Sequence, residues 1–310
     1  MFSLTLRQML VMATLIVVGF SLRKFRVLPN NAAAVMSRLE MYAITPALSL
    51  YTQITRCTVE NFTKNFNLML YGFLVVLCCI VIAIPLSSAF SKETYSRNIY
   101  KYALAFGNYG YMGNFIVLEL FGNDVFYQYS LVVFFVGIAC SSWGLYVLIP
   151  KDKNANFLNN LKAFFITPPF IALLTGIALG LTGVGKYVPE FLLKAFESAG
   201  SCQGPVAMLL AGFVIGGFDL KKLFCYKKVY VVSLFRLVVI PAVIALVLSA
   251  FRVDNMTVLL LLIAFATPIG LNTVVYPAVY DADTETGASM TVISHLLSVI
   301  TLPLLFALFT

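Results

Sequence analysis

The sequence predicts an all-α polytopic membrane protein, and three observations support this fold class. Hydrophobic residues make up 61% of the 310 residues and charged residues only 11%, with a mean hydropathy of +0.93. This is far more apolar side chain than the core of one soluble domain requires. Several uncharged runs exceed the roughly 18 to 20 residues that cross a bilayer, and the chain contains an internal repeat.

The uncharged runs place the transmembrane helices. The longest cover 66–90, 125–150, 163–185, 198–218, 255–280 and 286–310. Continuous runs favour helices, because the strands of a membrane barrel alternate polar and apolar residues. With the shorter apolar segments included, we predict ten spans at 4–22, 30–52, 66–90, 101–121, 125–149, 162–184, 188–215, 229–250, 256–280 and 285–309.

The internal repeat relates the fourth span to the ninth. The stretch AFGNYGYMGN, ending at Asn114, aligns with AFATPIGLNT, ending at Thr273, and the same offset separates Pro46 from Pro205. Because five spans is an odd number, the second copy lies upside down relative to the first. We therefore predict a first five-helix repeat at 1–150, a short cytoplasmic connector at 151–161 and an inverted repeat at 162–310.

Basic residues in the loops predict the orientation, because cytoplasmic loops carry an excess of lysine and arginine. The richer side holds Arg23, Lys24, Arg26, Lys92, Arg97, Lys101, Lys151, Lys153, Lys162, Lys221, Lys222, Lys227 and Lys228. The poorer side holds Arg7, Arg56, Lys64, Lys186 and Arg252. This predicts an integral protein of the plasma (inner) membrane with both termini outside.

Glycine, proline and amide residues are expected to interrupt the fourth and ninth spans. Proline lacks an N–H and clashes with the preceding turn, and glycine weakens a helix. Half-helix N-termini expose N–H donors that suit a carboxylate, and asparagine adds donors without burying a cation. The candidate binding residues are Asn108, Tyr109, Gly110, Gly113, Asn114, Pro268, Gly270, Asn272 and Thr273.

The motifs GNYGYMGN and TPIGLNTVVYPAVY, the ten spans and the TLPLL ending resemble the auxin efflux carrier family of membrane transporters. The resemblance covers nearly the whole chain. It implies a fold similar to that of bile-acid symporters, in which the broken fourth and ninth helices cross. It also implies transport of organic anions such as malate, malonate or auxins, bound at the crossing by Asn108, Gly110, Asn114, Pro268, Gly270 and Asn272. One departure is Tyr109, where the repeat mate is Pro268.

Ionisable residues inside membrane spans are costly and therefore functional candidates. We single out Glu40, Glu119, Arg236 and His295, together with the amide Gln203, as candidates for substrate contact or ion coupling. Arg236 could pair with a substrate carboxylate or with Glu119. His295 could exchange protons near neutral pH or be a packing residue. Lys194 and Glu197 are three apart on one helix and predict a structural ion pair.

Composition also limits the function. We expect no metal site, because the six cysteines form no CxxC pair, and no nucleic-acid partner despite the charge of +8. An enzyme is disfavoured, because one histidine cannot make HExxH and Ser294 and His295 face apart on a helix. The stretch from Gly176 to Gly180 permits close helix packing, within the chain or in a homodimer.

The favoured function is a secondary transporter, or permease, that moves a small organic anion by alternating access. In this mechanism a helix bundle carries the site against a scaffold in an elevator-like motion. An anion channel or a membrane sensor with the same fold is the alternative. No cofactor is expected, and coupling to H⁺ or Na⁺ stays open.

Overall fold

The computed structural model describes residues 2–150 and 156–309, and every regular element in these ranges is helical. Five helical segments are long and apolar enough to cross a membrane, namely Phe2–Lys24, Val59–Ser87, Glu190–Ile215, Lys227–Ala250 and Glu285–Phe309. Two further helix pairs, bent by 49° and 52°, raise the number to seven if each pair forms one span. The prediction of an all-α membrane protein with several spans is confirmed.

The helices of the first part of the chain are α1 (Phe2–Lys24), α2 (Ala32–Leu39), α3 (Thr45–Arg56), α4 (Val59–Ser87), α5 (Thr94–Ala105), α6 (Asn114–Val132), α7 (Phe134–Ala139) and α8 (Leu145–Leu148). Wider π turns lie at Glu40–Ile44, Tyr109–Gly113 and Cys140–Gly144. Gly122 has a φ of 75° and redirects the chain within α6, between the predicted fourth and fifth spans.

The helices of the second part are α9 (Phe157–Phe165), α10 (Pro168–Leu181), α11 (Glu190–Ser201), α12 (Gln203–Ile215), α13 (Leu220–Leu223), α14 (Lys227–Leu234), α15 (Ile240–Ala250), α16 (Asn255–Ala266), α17 (Asn272–Val279) and α18 (Glu285–Phe309). A π turn at Phe235–Val239 joins α14 to α15. A short 3₁₀ turn at Val184–Tyr187 follows α10.

Side-chain caps move two helix starts away from their predicted positions. Thr58 accepts a hydrogen bond from the Asn61 N–H at 3.1 Å, so α4 begins at Val59 and adds polar turns before the predicted start at 66. Asn156 accepts from the Leu158 N–H at 2.9 Å, so α9 begins inside the predicted connector 151–161. Residues 151–155 of that connector lie outside the described ranges.

Two of the π turns have the same position relative to a proline. The turns Glu40–Ile44 and Phe235–Val239 each end two residues before a proline, Pro46 or Pro241. A proline cannot donate to the carbonyl four residues earlier and its ring crowds that carbonyl, so a wider turn relieves the clash. Each of these turns carries one fully buried ionisable residue, Glu40 or Arg236.

Helices α1 and α12 form a close pair because glycines face backbone in both directions. Gly19 lies against the backbone of Leu209, and Gly212 lies against the backbone of Ile16. A Cβ atom at either glycine would overlap a main-chain carbonyl. Neither overlap can be relieved by rotating a side chain, so the two helices are held at glycine-to-backbone distance.

We expect Gly212→Ala to destabilise the protein by about 1–3 kcal/mol, the usual cost of overpacking, through separation of α1 from α12. Gly137→Ala on α7 is the matched control, because its added methyl would meet its nearest neighbours at ordinary contact distances of 3.8 and 3.9 Å. The measurement is the melting temperature of each variant in detergent. Equal melting temperatures for the two variants would contradict the close pairing.

Gly176 and Gly180 contact α3 of the same chain. A Cβ at Gly176 would meet Gln53, and one at Gly180 would meet the carbonyl oxygens of Gln53 and Cys57. The glycine pair therefore serves packing within the chain, the first of the two alternatives that the sequence offered.

The predicted ion pair between Lys194 and Glu197 is wrong. Lys194 pairs with Glu190 at 2.8 Å, four residues earlier on α11. Glu197 instead accepts a hydrogen bond at 2.6 Å from the hydroxyl of Tyr51 on α3. Spacing alone could not decide between the carboxylates three and four residues from Lys194.

Candidate functional site

Two breaks in helical structure meet inside the protein. α5 ends at Ala105 and helical structure resumes at Tyr109, while α16 ends at Ala266 and α17 begins at Asn272. The Asn108 N–H donates to the Pro268 carbonyl at 2.7 Å. A Cβ at Gly107 would come within 2.6 Å of both Thr267 oxygens, so glycine is required for this approach. The two breaks are therefore in direct main-chain contact.

Side chains from three helices bond backbone groups at the two breaks. Ser294 on α18 accepts from the Ile269 N–H at 3.0 Å. Tyr129 on α6 donates to the Tyr109 carbonyl at 2.9 Å, and Gln203 on α12 donates to the Gly110 carbonyl at 2.9 Å. Freed backbone groups at this depth need such partners, because lipid supplies none. The breaks are thus stable features of the fold.

The Asn272 side chain links the start of α17 to α5 and to the π turn Cys140–Gly144. Its Nδ2 donates to the Tyr102 hydroxyl at 2.7 Å and lies 3.9 Å from the Cys140 sulfur. The Tyr102 hydroxyl and Cys140 are in turn 3.0 Å apart. The Thr273 hydroxyl donates to the Gly270 carbonyl at 3.0 Å, which links the start of α17 to the break before it. The Asn272 amide is therefore fixed in orientation beside the contact between the breaks.

Open space lies beside Gly110 in the π turn Tyr109–Gly113, which is called the fourth-span turn below. A Cβ at Gly110 would meet no atom within 4 Å, whereas one at Gly113 would overlap the Tyr129 hydroxyl. Asn108 is buried, and Tyr109, Gly110 and Asn114 are partly buried. A methyl group at Gly110 could therefore be accommodated without displacing side chains.

Arg236 is fully buried next to the break of the fourth span. Its Nη1 lies 3.4 Å from the carbonyl oxygens of Leu104 and Ala105, at the C-terminal end of α5. A cation is favourable there, because the last helix carbonyls carry partial negative charge. Its Nε and Nη2 have no hydrogen-bond acceptor among the described residues, and Nη2 borders Gly107. Arg236 therefore retains donors that an anion could use.

The sequence-predicted pair of Arg236 with Glu119 is not formed. Glu119 is exposed on α6, whereas Arg236 is fully buried, and the ion pairs of the described residues do not join them. The sequence could not show this, because it places both residues on apolar spans without giving the direction in which each faces.

His295 lies on α18 in a different environment from the breaks. Its Nδ1 is 2.7 Å from the Thr291 carbonyl, and the ring borders an apolar cavity of about 370 Å³ between α1, α12 and α18. Met112 of the fourth-span turn also lines this cavity. The hydrogen bonds of the described residues thus do not join His295 to the paired breaks.

The structure brings most of the predicted residues to one place. Main-chain contact or hydrogen bonding at the breaks involves Asn108, Tyr109, Gly110, Pro268, Gly270, Asn272, Thr273, Gln203 and Arg236. Sequence reasoning missed Tyr102, Tyr129 and Ser294. Their available signal was a hydroxyl within an otherwise apolar span, which requires a partner at that depth.

Comparison with known proteins agrees with this architecture. A family model described as "Membrane transport protein" matches the chain twice, at residues 4–160 and 157–306. An uncharacterized transporter of Methanocaldococcus jannaschii is similar to the chain, with 23% identity over 306 residues that cover 95% of this chain and 96% of that protein. The two matches together cover almost the whole sequence in two successive copies. The chain therefore belongs to the Membrane transport protein family, the membrane transporters of the auxin efflux carrier type.

Proposed function

We propose that this transporter carries a small organic anion, a carboxylate such as malate, malonate or an auxin-like acid. The observation that carries this proposal is the contact between the two breaks, with the Asn108 N–H on the Pro268 carbonyl and the buried guanidinium of Arg236 beside Gly107. Secondary transporters bind substrate where broken helices meet. The site combines a cation, amides and open space at Gly110.

The donors in this region suit a carboxylate. Arg236 has two nitrogens without an acceptor, and a guanidinium can hold a carboxylate with two parallel hydrogen bonds. The N-terminus of α17 begins at Asn272 and adds the partial positive charge of a helix start. Each of these groups favours an anion over a cation.

We further propose ten spans in two inverted five-helix halves, 1–150 and 162–310. Five to seven spans meet criteria of helix length and composition. Beyond the five long helices, the five additional spans are segments that those criteria divide at a π turn, a glycine, a bend or a break, namely 32–56, 94–121, 123–148, 157–181 and 255–279. Two consecutive copies of five spans place the second copy upside down. Movement of the paired breaks against the remaining helices, in an elevator-like manner, would expose the site to each side in turn.

The loops on one side of the predicted membrane carry more lysine and arginine than those on the other. Because cytoplasmic loops carry such an excess, this distribution supports a plasma-membrane protein with both termini outside. In that orientation an inside-negative potential drives an anion outward by about 2.3 kcal/mol per charge per 100 mV. Export of the anion therefore needs no coupling ion, whereas its accumulation inside the cell does.

Assembly of two copies of the chain into a homodimer stays a prediction.

Substitution of the two asparagines tests the proposed site. We expect Asn108→Ala and Asn272→Ala each to reduce uptake of radiolabelled carboxylate into proteoliposomes at least tenfold, which corresponds to about 1.4 kcal/mol, because each removes an amide at the contact between the breaks. A screen of mono- and dicarboxylates by thermal shift would first identify the substrate, since a ligand that binds only the folded protein raises its melting temperature.

Asn67→Ala, which changes an exposed asparagine on α4, is the matched control and should transport at the wild-type rate. Wild-type rates in folded Asn108→Ala and Asn272→Ala proteins would show that the binding site lies elsewhere. Trans-stimulation by internal substrate separates a carrier from the alternative, an anion channel, because a channel is not accelerated by substrate on the far side.

A further inference from the structure

Glu40 is a fully buried carboxylate with almost no polar partner. It lies in the π turn Glu40–Ile44, and its relative exposure is 0%. Its Oε2 has one weak donor, the Thr45 hydroxyl at 3.4 Å, and its Oε1 has none among the described residues. An ionised carboxylate in this position would be very costly, because burial of a charge requires pairing and full hydrogen bonding.

The elements packed against this turn supply no cation to Glu40. They are α2, α3, α10, α11 and α12. Neither α10 nor α12 contains a charged or titratable side chain. The titratable and charged residues on the other three are Arg38, Tyr51, Arg56, Glu190, Lys194 and Glu197.

None of those groups is available to pair with the carboxylate. Arg38 is exposed on α2. Tyr51 is bound to Glu197, Arg56 to Asp124 and Lys194 to Glu190. Tyr111, from the fourth-span turn, is within electrostatic range of Glu40 and is itself neutral or anionic. Among the described residues on the elements that pack most closely against this turn, no cation therefore neutralises the carboxylate.

Glu40 is also connected to the site through α12. This helix packs against both the Glu40–Ile44 turn and the Tyr109–Gly113 turn. Gln203, its first residue, donates to the Gly110 carbonyl at 2.9 Å. A change in the charge of Glu40 would therefore act on helices that contact the paired breaks directly.

We propose that Glu40 is the proton-binding group that couples anion transport to H⁺, an inference that rests on the proposed transport function. In the described conformation Glu40 is the neutral acid, with the proton bonded to a carboxyl oxygen. When the carboxyl becomes accessible to water on one side, it releases this proton to water and becomes ionised. The ionised form cannot return to the buried position without a new proton, so movement of the site follows proton binding.

The test compares Glu40→Gln with Glu60→Gln, a matched control in the exposed first turn of α4. Glutamine fixes a neutral side chain of the same shape. Uptake into proteoliposomes is measured with an acidic external buffer and with equal pH on both sides. For wild type and Glu60→Gln, the rate should be higher with the acidic external buffer. In Glu40→Gln the ratio of these two rates should fall to one. A trapped pH dye should report substrate-dependent proton entry only in the first two proteins.

A gradient response that survives in Glu40→Gln, or acceleration by a Na⁺ gradient in place of a pH gradient, would overturn the proposal. A second measurement does not depend on transport. Infrared spectra at neutral pH should show the C=O stretch of a protonated carboxyl, sensitive to deuteration, in wild type and Glu60→Gln but not in Glu40→Gln. If no acid is transported but this band is present, the proposed function fails and the protonated carboxyl stands. If the band is absent from wild type, the proton-binding assignment is wrong.

Discussion

Gly107→Ala is expected to disrupt the contact between the two breaks. The added methyl would lie 2.5 Å from the Arg236 Nη2 and 2.6 Å from the Thr267 carbonyl oxygen. Because one neighbour is backbone and the other a buried guanidinium, neither can move aside without breaking other contacts. Overpacking of this kind costs about 1–3 kcal/mol and sometimes more. We expect a lower melting temperature and a reduced yield of monodisperse protein, with the transport rate falling in parallel.

Gly110→Ala is the matched comparison, since it lies three residues away in the same motif and its Cβ would meet nothing within 4 Å. This variant should fold with the wild-type melting temperature. If the open space is the substrate site, its KM for the transported acid should rise although its stability does not. A melting temperature of Gly107→Ala equal to that of Gly110→Ala would contradict the close approach of the breaks.

Arg236→Gln is expected to have the second large effect. The substitution removes the positive charge from the C-terminal end of α5 and from the side of Gly107. Removing the cation that binds a buried carboxylate costs about 2–5 kcal/mol of binding free energy. The KM for the anion should therefore rise at least tenfold. The loss of contacts to two helix carbonyls should also lower the melting temperature.

Arg236→Lys separates these two effects. Lysine keeps the charge at the helix end but cannot present two parallel donors to a carboxylate. We expect it to regain much of the stability lost in Arg236→Gln while leaving the KM raised. A wild-type KM in both folded variants would mean that Arg236 only stabilises the end of α5.

Much of the fold and of the candidate site could be predicted because membrane proteins place strong limits on sequence. Long uncharged runs indicate helices directly. The repeated motif at Asn108 and Asn272 locates the breaks, because glycine, proline and amides are costly in an uninterrupted span. Direct contact between residues so distant in sequence was expected from the resemblance and not from the residues alone.

Other features could not be read from the sequence. Whether Arg236 faces α5 and Glu119 the exposed surface depends on helix rotation, which a nearly uniform apolar pattern does not specify. The π turns shift this rotation further, since each inserts one extra residue before the helix continues. The prolines at 46 and 241 could have indicated two of these π turns. Each lies about one and a half turns after an ionisable residue, Glu40 or Arg236.

The unequal construction of the two breaks has a further consequence for the empty transporter. The ninth-span break contains Pro268, which forbids continuous helix, whereas the fourth-span segment Phe106-Gly107-Asn108 contains no residue that does so. In the proposed inverted arrangement, only two identical halves, breaks included, would give the outward-facing and inward-facing orientations equal free energy. The unlike breaks are one departure from that symmetry, so we expect the unloaded protein to favour one of the two orientations.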